Sequence, residues 1–309
     1  MITSVFKKST PFNYILIAVL IQVFFFIYQF QNSLPLNSLP LIFQKCASFF
    51  VLLATFFIIN FIVKKNGLSK DSTYTVLFYL LFLLFIPSVL NDFKLLFSNF
   101  FILLAFRRLV SLQSLKSAKE KIFDASLWVF VATLFHFWSI LFIILVFVSI
   151  FFHVSRDYRN WVLPFIALFG VGVISMLFFT VFNVNILDFL ISKTNTNFEI
   201  TYFTSNYQHI AFSVYATIAL FFVVYFITTM SKRPLLLKTS FTKILAFLFI
   251  AVLVFVISGN KSNSLLIYTI APLAILATNT IEFIKEKLKQ EIILGALILC
   301  SLFVFFFQL

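Results

Sequence analysis

Charge is what this chain has least of. Charged residues fill 11% of its 309 positions and hydrophobic residues 62%, where an ordinary soluble domain has about 25% charged and roughly 45–50% apolar residues. Too few polar side chains remain to cover a soluble core of this size, which excludes soluble globular, disordered and coiled-coil classes. Acids are scarcer still, with ten Asp and Glu against 23 Lys and Arg. Cysteine occurs only as Cys46 and Cys300, without CxxC spacing, so neither a disulfide scaffold nor a thiolate metal site is expected. Glycine occurs five times, and no Gly-rich phosphate loop, GxSxG elbow or HExxH string is present.

What the chain has in abundance is long apolar runs, with a mean hydropathy of +1.10. The runs are Phe12–Phe30, Cys46–Val63, Tyr74–Leu90, the short Leu95–Phe106, Trp161–Phe182, His209–Met230, Ile244–Ile257, Leu265–Thr278 and Ile292–Phe307. The first is too long for a signal-peptide core and has no cleavage site after it, so it reads as a retained helix. Ala125–Ser155 carries no acid, lysine or arginine. It would make one helix of about 46 Å, against a hydrocarbon core of about 30 Å. Broken near Ser139, it gives two short helices. The expected fold is therefore all-α: a single integral membrane domain over residues 1–309, a polytopic transmembrane bundle of about eleven crossings.

The formal net charge of +13 orients it. With the N-terminus inside and the C-terminus outside, 19 of the 23 basic residues fall in inner segments, and only Lys45, Lys94, Lys193 and Lys261 in outer ones. Such an asymmetry follows the positive-inside rule and points to a cell inner membrane. The clusters form no continuous basic face, so no nucleic acid partner is expected. Two inner segments, IEFIKEKLKQE and SLQSLKSAKEKIFD, read as surface helices or as solvated connectors. In the first outer loop the repeat Asn32–Leu36, Asn37–Leu41 carries Pro35 and Pro40, which are expected to break any helix there.

Chemistry has few places to reside. All ten acids fall at span ends or between spans, which argues against an ion-coupled transporter. His136 and His153 lie 17 residues apart, about 25 Å along a helix. Even as a hairpin this puts them near opposite surfaces, so the three histidines cannot converge and no metal or cofactor is expected. The outer face holds the remaining candidates: Asp92, Asp188 and Glu199, with Lys45, Lys94, Lys193, Lys261, His136 and His209. Of these, Asp92 is the candidate base on an acceptor hydroxyl. Lys261, with Lys94, His136 and His209, forms the candidate substrate-binding set, a lysine suiting a lipid-linked phosphate.

Two stretches carry a resemblance. FSNFFILLAFRRLVSLQSLKSAKEKIFDASLWVFVATLFHFWSILFIILVF joins a short helix, an Arg pair and a small-residue helical pair. GNKSNSLLIYTIAPLAILATN places Lys261 ahead of an apolar helix with Pro272. Together they resemble a flavobacterial (Bacteroidota) family of multi-pass membrane proteins of unknown function, some carrying an automatic beta-carotene monooxygenase name. More distantly, the layout is similar to the membrane domains of polyprenyl-phosphate-dependent glycosyltransferases of the C superfamily. That resemblance implies handling of a lipid-linked glycan at the outer face, with membrane lipids and a polyprenyl-phosphate-linked substrate as partners. Glycosyltransferases of this kind usually carry an acid in the first outer loop. Gln31–Lys45 has none, and Asp92 is the nearest acid. The alternative is a non-catalytic membrane subunit or scaffold with protein partners in an envelope complex.

Overall fold

The structure, a computed structural model, describes residues 2–32, 39–183, 193–198 and 206–309. Among them it is all-α, with twelve α-helices. These are α1 (Ile2–Phe6), α2 (Pro11–Asn32), α3 (Leu39–Lys65), α4 (Tyr74–Leu84), α5 (Phe93–Val110), α6 (Ala118–Phe135), α7 (Ile143–His153), α8 (Arg159–Val181), α9 (Asn206–Thr229), α10 (Leu235–Ile257), α11 (Ile267–Phe283) and α12 (Lys287–Phe307). Eight helical segments are long and apolar enough to cross a membrane, and Tyr74–Leu84 and Phe137–His153 are shorter apolar ones. Each apolar run of the sequence finds a helix. Asp188, Glu199 and most of the Asn32–Leu41 repeat lie outside the described residues.

The chain divides into two compact units. Unit 1 comprises Met1–Leu96, Tyr202–Lys238 and Asn263–Leu309. Its centre is α4, buried at all eleven positions, packed on α11, which is buried from Ile267 to Ile281. Helices apolar on every side belong inside a bundle rather than at its rim. The Thr278 hydroxyl donates to Thr75 Oγ1 at 3.1 Å between them. Tyr215 on α9 meets Thr269 on α11, hydroxyl to hydroxyl, at 2.6 Å. Phe78 and Phe82 on α4 set their rings edge-on against Phe222 on α9.

Eleven residues make a helix of only about 16 Å. The chain extends α4 with a 3₁₀ turn, Pro87–Asn91, before α5 begins. Backbone carbonyls freed at that transition are taken up by side chains from elsewhere in the unit. Gln308 Nε2 donates to Phe85 O at 3.1 Å, and Gln29 Nε2 to Leu90 O at 3.1 Å. At the opposite end of α4, Tyr74 donates to Thr3 O, and both Thr73 N–H and its hydroxyl donate to Phe6 O.

Unit 2 comprises Phe97–Thr201 and Thr239–Ser262. Its helices interlock through stacked rings: Phe101 on Trp128 at 5.5 Å between α5 and α6, and Phe147 on Trp161 at 6.0 Å between α7 and α8. Phe247 on α10 receives Phe106 and Phe142 edge-on. The outward side of α8 presents Phe165, Phe169, Ile174 and Leu177, an apolar surface suited to lipid and not to water.

The break expected near Ser139 is present: His136 is extended, and Ser139 lies in the 3₁₀ turn Phe137–Phe142 that separates α6 from α7. Other local expectations are corrected. Pro40 does not interrupt a helix; it lies in the first turn of α3, where its missing N–H has no partner to lose. Neither inner segment is a surface helix. SLQSLKSAKEKIFD is interrupted by left-handed Leu115 and Ser117, and α6 starts only at Ala118. IEFIKEKLKQE is split where Ile284 and Glu286 are extended, between α11 and α12. Gln290 stabilises that split by donating to the carbonyls of Ile281 and Ile284, at the orphaned end of α11.

Candidate functional site

Unit 2 brings the end of α6, the strap Lys193–Phe198 and the loop after α10 into one neighbourhood. Helix α6 stops at Phe135, and His136 turns the chain: its N–H donates to Ala132 O and its carbonyl accepts from Ser139 N–H. Ser98 on α5 fixes the turn from below, donating to Ala132 O at 3.1 Å and sharing a 2.7 Å hydrogen bond with the Ser139 hydroxyl. The turn thereby presents Trp138, whose Nε1 donates to Asn195 O in the strap at 3.3 Å. Next along the strap, Thr196 pairs with Ser258 as an isolated antiparallel bridge. Gly259 follows, and a Cβ at that position would lie 2.3 Å from Asn195 O, so only glycine admits the strap.

Two of the polar residues expected at one membrane face, His136 and Lys193, lie close together here, and Lys261 follows Gly259 by two residues in the loop that the strap contacts. Burial, and secondarily the Lys193 charge, lowers the His136 pKa from 6.5 to about 4. The imidazole is neutral near pH 7 and offers one donor and one acceptor. A lysine charge close to a neutral imidazole favours an anionic ligand.

The other expected residues belong to unit 1. The Asp92 carboxylate accepts from Leu95 N–H at 3.1 Å and its carbonyl from Leu96 N–H at 3.0 Å. This is the N-cap of α5, with the acid at the positive end of the helix dipole. Lys94 is exposed in the first turn of α5 and makes no ion pair with Asp92. His209 is exposed in the first turn of α9, beside Gln208, whose carbonyl accepts from Asn263 Nδ2.

Sequence reasoning missed the buried cations. Lys243, expected in a connector just before a span, sits inside α10 with 0% exposure. Its Nζ donates to Leu109 O at 2.6 Å and lies 3.2 Å from His153 Nε2. His153 also lines an open cavity of about 870 Å³, together with Lys119, Arg156 and Asp157. In unit 1, Arg233 is 9% exposed and donates to the side chain and the carbonyl of Asn279, at 2.9 and 3.3 Å. Its guanidinium lies over Phe226 at 4.2 Å. Beside it, Glu282 accepts from Lys70 N–H and the Ser72 hydroxyl. Lys243 thus lies buried within a span, while Arg233 is buried between two, and each has polar partners that offset its desolvation. Among the described residues no three His, Cys, Asp or Glu side chains are grouped to hold a metal ion.

An all-α chain with, among the described residues, eight helical segments long and apolar enough to cross a membrane is a multi-pass membrane protein. The family of unknown function DUF6427 matches it over residues 1–309, and the chain belongs to that family. No curated protein matches the chain, and no solved structure does.

Proposed function

We propose that the protein binds the phosphate end of a lipid-linked amphiphile at the membrane face carrying Lys193 and Lys261. The observation behind this is the strap, which ties the segment carrying Lys193 to the His136 turn and to the loop that carries Lys261. A phosphate takes a lysine as a point-charge partner, and neutral His136 can add a hydrogen bond. On the charge asymmetry this is the outer face of a cell inner membrane. The occupant in this reading is a polyprenyl-phosphate-linked glycan. The test is binding of a polyprenyl phosphate and of the matching polyprenol to purified protein. Preference for the phosphate, lost in Lys193→Gln and Lys261→Gln, supports the reading; equal binding of both lipids removes it.

A second reading has one observation in its favour. The Asp92 carboxylate is engaged as a helix cap, which suits a non-catalytic subunit or scaffold of an envelope complex. A deletion strain assayed for surface polysaccharide, with a pull-down for stable partners, separates the two.

A further inference from the structure

A groove in unit 1 has the makings of a second, independent lipid site. It lies where α2 ends and α3 begins, has a volume of about 400 Å³, and is floored by Phe25, Phe26, Phe49 and Phe50. That volume falls within the range of small-molecule pockets, about 300–1,000 Å³. The rings form one cluster: Phe49 lies 5.4 Å from Phe25 and 5.7 Å from Phe26. Since α2 and α3 are consecutive and run in opposite directions, four residues onward from Phe25 and four back from Phe49 share a level. Those residues are Gln29 and Lys45, and both line the groove.

Their chemistry is unbalanced in a way that specifies an occupant. Lys45 is half-buried and makes no ion pair with any described residue. Gln29 is 8% exposed and anchored through Nε2 on Leu90 O, while its Oε1 is buried without a hydrogen-bond partner among the described residues. A buried acceptor left unmatched is costly. The groove therefore places, at one depth, a cation beside a side chain with an unmatched acceptor, above an aromatic floor.

We propose that this groove binds an anionic glycerophospholipid whose headgroup carries a hydroxyl, phosphatidylglycerol being the simplest case. One chain lies over Phe25, Phe26, Phe49 and Phe50, the phosphate pairs with Lys45, and the headgroup hydroxyl donates to Gln29 Oε1. The experiment is native mass spectrometry of the delipidated full chain with equimolar pairs of lipids. Phosphatidylglycerol should be retained about tenfold over phosphatidylcholine, and severalfold over phosphatidylmethanol, which has the same charge but no hydroxyl. Lys45→Gln should abolish the first preference, and Lys45→Arg should keep it. Equal retention of phosphatidylglycerol and phosphatidylcholine, or a preference that survives Lys45→Gln, overturns the site. Equal retention of phosphatidylglycerol and phosphatidylmethanol removes Gln29 and the hydroxyl from it.

Discussion

The ammonium of Lys243 lies 2.6 Å from the carbonyl oxygen of Leu109. Leu109 is the penultimate residue of α5, where carbonyls have no partner within their own helix and the dipole is negative. A lysine from α10 thus caps α5, and the cap explains how a cation survives with 0% exposure. Truncating it to alanine leaves both a cavity and an unmatched carbonyl. Lys243→Ala should destabilise unit 2 by about 3–5 kcal/mol, and Lys243→Met, which keeps the volume and removes the buried charge, by less. Thermal unfolding in detergent gives the order; equal losses would mean that the lost cap, common to both variants, outweighs the cavity.

Asp92 separates capping from catalysis. Asn caps a helix about as well as Asp, while alanine costs about 0.5–2 kcal/mol. Asp92→Asn should keep stability and Asp92→Ala should lower it. If the deletion strain shows a phenotype, its rescue by Asp92→Asn at normal protein level identifies the residue as a cap alone; failed rescue with intact stability assigns the carboxylate a role beyond capping.

Gly259 tests the strap. Gly259→Ala forces a methyl group against Asn195 O, 2.3 Å away, a steric conflict worth about 1–3 kcal/mol. Gly170→Ala, which meets nothing within 4 Å, is the neutral control. Release of the strap should change the environment of Trp138, whose Nε1 is bonded to Asn195 O, and so be visible in tryptophan fluorescence.

The strap should also respond to acid. His136 has a pKa of about 4 in the fold, against an ordinary 6.5. Between these values the unfolded chain binds more protons than the folded one, so stability rises with pH through that window and levels off above it. Stability therefore falls as pH drops from about 6.5 to 4. Denaturation midpoints measured across that range should show the slope, and His136→Gln should flatten it.

Sidedness is the remaining expectation. Reporter fusions should read inside after Lys121 and outside at Leu309, following the segregation of basic residues. A C-terminal reporter on the inside would mean an even number of crossings, with Leu95–Phe106 and the α6–α7 pair the first places to look.

Much of the fold was legible in the sequence because lipid imposes a blunt rule: backbone groups at membrane depth must bond within their own helix, so long apolar runs become helices. Hence every run from Phe12 to Phe307 has its helix. The rule fails where it treats charge as a boundary. Lys243 delayed the start of a run to Ile244 on hydropathy, yet α10 begins at Leu235 and carries the lysine inside, because the end of α5 supplies a carbonyl. No local pattern announces that partner, which is 134 residues away. The split at Ile284–Glu286 was hidden for a similar reason: the Ile281, Ile284, Leu288 and Ile292 periodicity looks helical, and only the Gln290 side chain makes the break favourable. Of the candidate site, sequence reasoning gave the outward polar residues as a set. It could not join His136 to the Lys261 loop, since the strap that does so is a backbone arrangement around one glycine.

The burial of α4 has a consequence for biosynthesis. Its Thr75 hydroxyl accepts from Thr278, which is encoded 203 residues later. At about 5–20 residues per second, the ribosome needs roughly 10–40 s to bridge that gap. Throughout that interval the helix destined for the centre of unit 1 waits in the bilayer without α11. Unit 1 starts with α1 and includes α12, so its core is completed only once α12 has been made. A nascent chain arrested after Ile257 should accordingly be cut at Gly67–Ser72 by a protease that spares the finished protein.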